Sequence, residues 1–234
     1  MHIKINSILF IFIVIFYLTK QIEIYALLMI FALIHELGHI LTGICLGFRP
    51  KSIHIMPFGI SVNFNSNLTD YNNKIGKGNL LNLKKLVVAI AGPLTNIVII
   101  IICCILKFDF GKMNSTYIIY ANLILGIFNL LPIYPLDGGR IIKEFTHFFY
   151  GRKETLVIIN KISNINLSII TAIASIGIIY LKNIAIFFIV VCLWIIVIKE
   201  NKIYNMKMMI YNKIKSENIK RIYWIYKKII VNYI

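Results

Sequence analysis

His35, Glu36 and His39 form H-E-x-x-H inside the run FALIHELGHILTGICLGF, residues 31–48, which is otherwise apolar. On a helix, positions i and i+4 share a face, so both imidazoles can reach one metal ion. Glu36 is turned about a quarter of the way round and can touch the metal's water instead of the metal. Zinc lowers the pKa of such a water to about 7, and a neighbouring carboxylate can take its proton as the nucleophile forms. Desolvating three polar groups at membrane depth is costly, and ionisable residues within spans generally mark function.

A catalytic zinc takes three protein ligands and keeps one position open. The metzincin spacing puts a third histidine six residues after His39, where Cys45 stands instead. The gluzincin spacing needs a glutamate some twenty or more residues on, yet none occurs between Glu36 and Glu144. The acids before Glu144 are Asp70 in an Asn-rich loop, Asp109 in a short turn, and Asp137. Asp137 lies in GIFNLLPIYPLDGGR, where Pro132 and Pro135 break an apolar helix and Gly138 and Gly139 allow a tight turn. Broken backbone at membrane depth is tolerated only where it is buried in protein or lines a cavity, which makes Asp137 the favoured third ligand.

A further polar position falls in AIAGPLTNIVII, residues 89–100. Ala91, Gly92 and Thr95 are small enough for close helix packing. Asn96 is an amide in the same apolar segment, suited either to packing or to orienting a ligand or substrate backbone.

The elements that must carry these residues follow from composition. Of 234 residues, 59% are hydrophobic and 15% charged, and the mean hydropathy is +0.82. A soluble domain would carry about 25% charged residues, so this is an integral membrane protein. The net charge of +16 belongs to the flanks of membrane spans, and no nucleic-acid motif accompanies it. Cys45, Cys103, Cys104 and Cys192 all fall in apolar runs without C-x-x-C spacing and read as small buried hydrophobes.

The expected fold is an all-α polytopic membrane protein of about six transmembrane helices. They are placed at about 5–19, 24–48, 84–106, 116–134, 162–181 and 184–198. The first lacks a cleavage site and is read as a retained helix. A small β-hairpin is expected in the loop after the catalytic helix, around the Pro-Phe-Gly turn at 57–59. The tail from Asn201, which interleaves Lys with Ile, Tyr and Trp224, is expected to lie on the membrane surface. With the N-terminus cytoplasmic, 21 of the 25 basic residues fall on the cytoplasmic side, which predicts that both termini are cytoplasmic.

The three segments HELGH (35–39), AGPLTN (91–96) and NLLPIYPLDGG (129–139), in this order, resemble the site-2 protease family of intramembrane zinc metalloproteases. The resemblance covers about 25–150 and divides the chain into a protease domain, 1–199, and a basic amphipathic tail, 200–234. It implies one zinc held by His35, His39 and Asp137, with Glu36 as general base. It places Asn129 and Pro135 near the substrate cleft, and the stretch MPFGISVNF, containing Phe58 and Gly59, beside the entering substrate. The six-span layout is most similar to the family's sporulation branch. That similarity implies pro-sigma-K as the membrane-associated substrate, membrane inhibitor or regulator proteins as partners, and the mother-cell membrane around the forespore as the location. Many members of that branch carry a C-terminal nucleotide-sensing domain. Only about 36 residues follow the last predicted span here, so nucleotide control through such a domain is not expected.

The reaction so implied is peptide-bond hydrolysis within or at the edge of the bilayer. A helical substrate must unwind locally, and an extended one can pair with the edge of the predicted hairpin. The alternative from another class is a membrane metal transporter or metal sensor using the same ligands, which would not need Glu36 as a base. His35 is placed thirteen residues from the end of its predicted span, roughly 20 Å deep at 1.5 Å per residue.

Overall fold

The computed structural model describes residues 2–5, 8–18, 20–56, 59–65, 80–107, 109–110, 113–181 and 184–216. Six helices dominate: α1 (Ile8–Leu18), α2 (Ile22–Cys45), α3 (Leu80–Leu106), α4 (Ser115–Asn129), α5 (Asp137–Leu181) and α6 (Ile184–Ser216). Three short strands, β1 (His2–Ile5), β2 (Arg49–Met56) and β3 (Gly59–Asn65), form one sheet in that order. Two further two-residue strands, β4 (Asp109–Phe110) and β5 (Met113–Asn114), pair ahead of α4. The chain divides into two compact units, one of Met1–Asn65 with Lys84–Leu131 and one of Ser66–Leu83 with Pro132–Ile234.

In the first unit, α2 ends by a defined device. Gly47 adopts φ +87°, a left-handed conformation open to glycine without a Cβ penalty. Its N–H donates to the Ile44 carbonyl and that of Phe48 to the Gly43 carbonyl, both at 2.9 Å, the paired bonds of a Schellman end. The chain therefore leaves the helix directly into β2. Buried Phe48 stands 6.0 Å from the Phe64 ring of β3, and that ring lies over Gly43, so the sheet is seated on the end of α2.

The expected hairpin is present, β2 pairing antiparallel with β3 from Arg49↔Asn65 to Met56↔Gly59. A register irregularity falls between Pro50 and Ser52, where proline supplies no N–H to the ladder. The sequence reading did not anticipate β1, which adds to β2 in parallel (His2↔Ser52 to Ile5↔Ile55). The predicted first span begins with that strand, and its helix, α1, is only 11 residues long. At 1.5 Å per residue α1 covers about 17 Å of a hydrocarbon core about 30 Å thick. Phe16 of α1 stacks on Tyr25 of α2, ring centroids 4.6 Å apart. Deeper in this unit Phe31 and Ala32 of α2 pack with Ala121 and Leu125 of α4, flanked by Ile99 of α3.

In the second unit α5 is two helices joined at Gly151, whose φ of 75° and ψ of 175° break the helical path. The first piece occupies residues that the sequence reading left between spans. Residues 201–216, expected to form a separate surface helix, continue α6 without interruption; 217–234 lie outside the described residues. Among the described residues, three helices are long and apolar enough to cross a membrane: Ile22–Cys45, Leu80–Leu106 and Asp137–Tyr180. Large apolar side chains along them face outward, among them Leu37, Ile44, Ile101, Ile105, Ile173 and Ile179. In water these would be a liability; in a bilayer they are the solvent-facing surface.

The turn into α5 is tight. Leu136 N–H donates to the Ile133 carbonyl at 2.8 Å, and Arg140 N–H to the Leu136 carbonyl at 2.9 Å. A Cβ on Gly139 would come within 2.5 Å of the Ile133 carbonyl carbon and the Tyr134 nitrogen, both rigid backbone atoms. Gly139→Ala is therefore expected to destabilise the protein by about 1–3 kcal/mol, as overpacking does. The measurement is thermal unfolding in detergent, and a variant melting with wild type would show that the turn has slack.

Candidate metal centre

His35, Glu36 and His39 are buried on α2, at 4%, 5% and 2% exposure. The helix ends at Cys45, three residues before the predicted span does, so His35 lies ten residues from its end, about 15 Å along the axis. The two imidazoles meet edge to face, centroids 4.9 Å apart and planes at 84°. His39 Nδ1 lies 2.7 Å from the backbone carbonyl of Val88 on α3. A carbonyl only accepts, so Nδ1 carries the hydrogen and the neutral ring keeps its lone pair on Nε2.

What the Nε2 atoms face is the most informative feature. A Cβ built on Gly92 of α3 would collide with Nε2 of both His35 and His39. The two Nε2 atoms thus converge on one point of the neighbouring helix that carries no side chain. Gly38, on α2 between the histidines, plays the reciprocal part, since a Cβ there would collide with Thr95 Cγ2 of α3. Thr95 Oγ1 donates to the Gly92 carbonyl at 2.6 Å, which turns its hydroxyl back onto its own helix. Asn129, the last residue of α4, brings Nδ2 to 3.4 Å from His35 Nε2. Two imidazoles that turn their Nε2 atoms to one point are a donor pair that suits zinc, and the bond to Val88 is the kind of outer contact that orients such a ligand.

In the second unit Asp137 is 5% exposed and opens α5, where a carboxylate is favoured by the helix dipole. Arg140, one turn on, places Nη1 3.7 Å from Asp137 Oδ1. Tyr134 N–H donates to Ser163 Oγ at 2.9 Å, which ties the Pro-Ile-Tyr-Pro loop to the later part of α5. Pro135 is partly buried in that loop.

Asn96 is 1% exposed on α3, and neither amide atom finds a hydrogen-bond partner among the described residues. Its Nδ2 lies 3.5 Å from where a Cβ on Gly126 of α4 would stand. Gly59 opens β3 opposite Met56, while Phe58 lies outside the described residues. Sequence reasoning missed two contributors. Gly92 was read only as a helix-packing residue, although its place in AGPLTN was visible. The Val88 carbonyl has no sequence signal, because every residue carries one.

The helices and their sheet define a polytopic membrane protein with the fold of a site-2 protease. The solved structure of a site-2 protease from Methanocaldococcus jannaschii superimposes with a TM-score of 0.61 at 24% identity, covering 85% of this chain and 89% of that one. A model of Peptidase family M50 matches residues 23–115 and 112–174, and the chain belongs to that family. Two curated relatives carry further detail. Zinc metalloprotease MJ0392 of M. jannaschii is 32% identical over 133 residues, 55% of this chain and 35% of that protein. Stage IV sporulation protein FB of Bacillus subtilis is 31% identical over 127 residues, 53% of this chain and 41% of that protein. The matched region thus spans less than half the length of either relative.

If the point over Gly92 is where the two Nε2 atoms share a ligand, filling it must evict that ligand. Gly92→Ala is expected to lower zinc retention at least tenfold, read as metal content after dialysis against a chelator series. Gly126→Ala, whose Cβ would make ordinary contact with Asn96, is expected to keep it.

Proposed function

We propose that the protein is an intramembrane zinc metalloprotease of the site-2 type that hydrolyses a peptide bond in a membrane-associated protein. The observation that carries this reading is the convergence of His35 and His39 Nε2 on Gly92, with Glu36 buried beside them. Membership of Peptidase family M50 and the two curated relatives support it. His35, His39 and Asp137 are the proposed ligands, three buried donors of the types that bind zinc. When bound there, zinc supplies Lewis-acid polarisation of the scissile carbonyl and acidifies a water.

The rest of the reaction falls to the chain's own groups. Glu36 accepts the proton of the attacking water and returns it to the leaving amine, which then departs neutral. Its burial among apolar helices keeps that proton from exchanging with bulk solvent. Asn129 Nδ2, beside His35 Nε2, can donate to a substrate oxygen at the same place. Asn96, Pro135, Phe58 and Gly59 complete the proposed substrate contacts. The outer edges of the three-stranded sheet, on β1 and β3, offer main-chain pairing to an unwound substrate.

The finer reading is six crossings with both termini cytoplasmic, α1 and α4 serving as the short ones in locally thinned bilayer. The similarity to the sporulation protein supports a pro-sigma-K-like substrate, membrane regulators, and a mother-cell membrane location.

Glu36→Gln is expected to keep zinc while cleavage of a co-expressed membrane-tethered substrate falls at least a hundredfold, consistent with loss of a general base. Normal cleavage by that variant would favour the transporter reading, which needs no base. Asp137→Ala is expected to weaken zinc binding far more than Asp70→Ala, measured on the purified variants by competition with a chromogenic chelator. Equal effects would remove Asp137 from the ligand set.

A further inference from the structure

Within the second unit, Ile159, Ser163 and Leu167 form a buried stripe along one face of α5, at four-residue spacing. An apolar side chain in the middle of that stripe would serve packing alone. Serine adds a hydroxyl, and its Oγ accepts from the Tyr134 N–H at 2.9 Å, twenty-nine residues back along the chain. The loop 132–136 reads Pro-Ile-Tyr-Pro-Leu, and its two prolines carry no backbone donor. Leu136 uses its N–H inside the turn, on the Ile133 carbonyl at 2.8 Å. Tyr134 instead directs its N–H out of the loop, to the piece of α5 that follows the break at Gly151.

The side chain of the same tyrosine is held from before that break. Lys143 Nζ donates to the Tyr134 phenol oxygen at 3.5 Å and stands 4.7 Å from the ring centroid, a cation over an aromatic face. The two pieces of α5 thus grip one residue between them. Tyr134 is coupled to the start of α5 through backbone. A Cβ on Gly139 would come within 2.5 Å of the Tyr134 nitrogen, the atom whose hydrogen goes to Ser163, so the Gly139 backbone packs directly on it. Arg140 N–H, donating to the Leu136 carbonyl at 2.9 Å, ties the same helical turn to the loop. Asp137 is the first residue of that turn. A shift of the Tyr134 nitrogen therefore moves the carboxylate.

We infer that Ser163 is a positioning residue for Asp137, acting through the Tyr134 N–H, and that Lys143 is a second one acting through the Tyr134 side chain. The role depends on Asp137 being a zinc ligand, the reading proposed above. A metal site needs its donors held to within about 0.5 Å by residues whose own contacts are fixed. Removing the Ser163 hydroxyl takes away the acceptor of the Tyr134 N–H, and the loop must find another partner for that donor. The Asp137 carboxylate is then spread over several positions instead of one. Outer contacts to a ligand are worth about 10–100-fold in metal affinity, and a contact that acts through a turn of backbone belongs at the lower end.

The experiment uses the full chain in a nonionic detergent, loaded in turn with zinc and with cobalt(II), whose visible absorption follows its coordination geometry. Zinc affinity is read by competition with a chromogenic chelator, and stability by thermal unfolding of the metal-free protein. Ser163→Ala is expected to bind zinc about tenfold more weakly and to shift the cobalt bands. Ser163→Thr, which keeps the hydroxyl, is expected to restore both. Leu167→Ala, in the same buried stripe, is expected to lower the melting temperature while leaving zinc affinity and the cobalt bands in place. Lys143→Met is expected to weaken zinc at least threefold, and Lys143→Arg to retain it. Should Ser163→Ala fail to fold by circular dichroism, the two Lys143 variants decide. Wild-type affinity and spectrum on removal of either group strike that residue from the role. A spectral shift in Leu167→Ala equal to that in Ser163→Ala marks the effect as merely structural and overturns the inference. Asp137→Ala, run in parallel, separates the two readings. If it alone loses zinc, the ligand stands and the positioning role is wrong; if it binds as wild type, the ligand reading falls and the role with it.

Discussion

The bond from His39 Nδ1 to the Val88 carbonyl is the constraint on which the first unit turns. It engages one ring nitrogen with a backbone acceptor and leaves Nε2 as the atom turned toward Gly92, the arrangement that the proposed ligand role needs. It also requires α3 to lie against α2 at bonding distance. Helices come that close in a bilayer only where side chains are small, since lipid offers no hydrophobic force to drive them together. Gly38 on α2 and Gly92 on α3 meet that demand from opposite sides. A protonation state, a helix contact and two glycines are thus one requirement seen three ways.

The remaining elements hold that contact in place. The Schellman end at Gly47 turns α2 straight into β2, and the Phe48 and Phe64 rings seat the sheet on the helix. The Phe31, Ala32, Ala121 and Leu125 cluster packs α4 on α2, which carries Asn129 to His35. In the second unit the turn after Pro132 leaves no room at Gly139, so the start of α5, and Asp137 with it, is set by backbone sterics and not by side-chain choice. The polar groups of this loop are bound in turn, Tyr134 to Ser163 and Asp137 to Arg140.

Local signals carried the sequence reading far. Each of the six predicted spans overlaps a helix, though among the described residues only three helices are long and apolar enough to cross a membrane. The hairpin was legible from its Pro-Phe-Gly turn. The parallel strand His2–Ile5 was not, since its pairing with Ser52–Ile55 joins residues about fifty positions apart and four residues carry too little pattern. The first piece of α5 was hidden likewise. Charged residues such as Arg140, Lys143 and Glu144 made it look like loop, and only packing within the second unit gives them a helix to sit on.

By itself the sequence determined the donor types, their one-turn spacing on α2, and the membrane setting that makes their burial expensive. These are properties of composition and of the 3.6-residue helical period, which act along the chain. Only the tertiary structure decided which nitrogen of His39 meets the Val88 carbonyl, where the two Nε2 atoms point, and why position 92 leaves no room for a side chain. Those depend on a backbone carbonyl and an absent side chain on another helix, and neither leaves a mark in the identity of the histidines it controls.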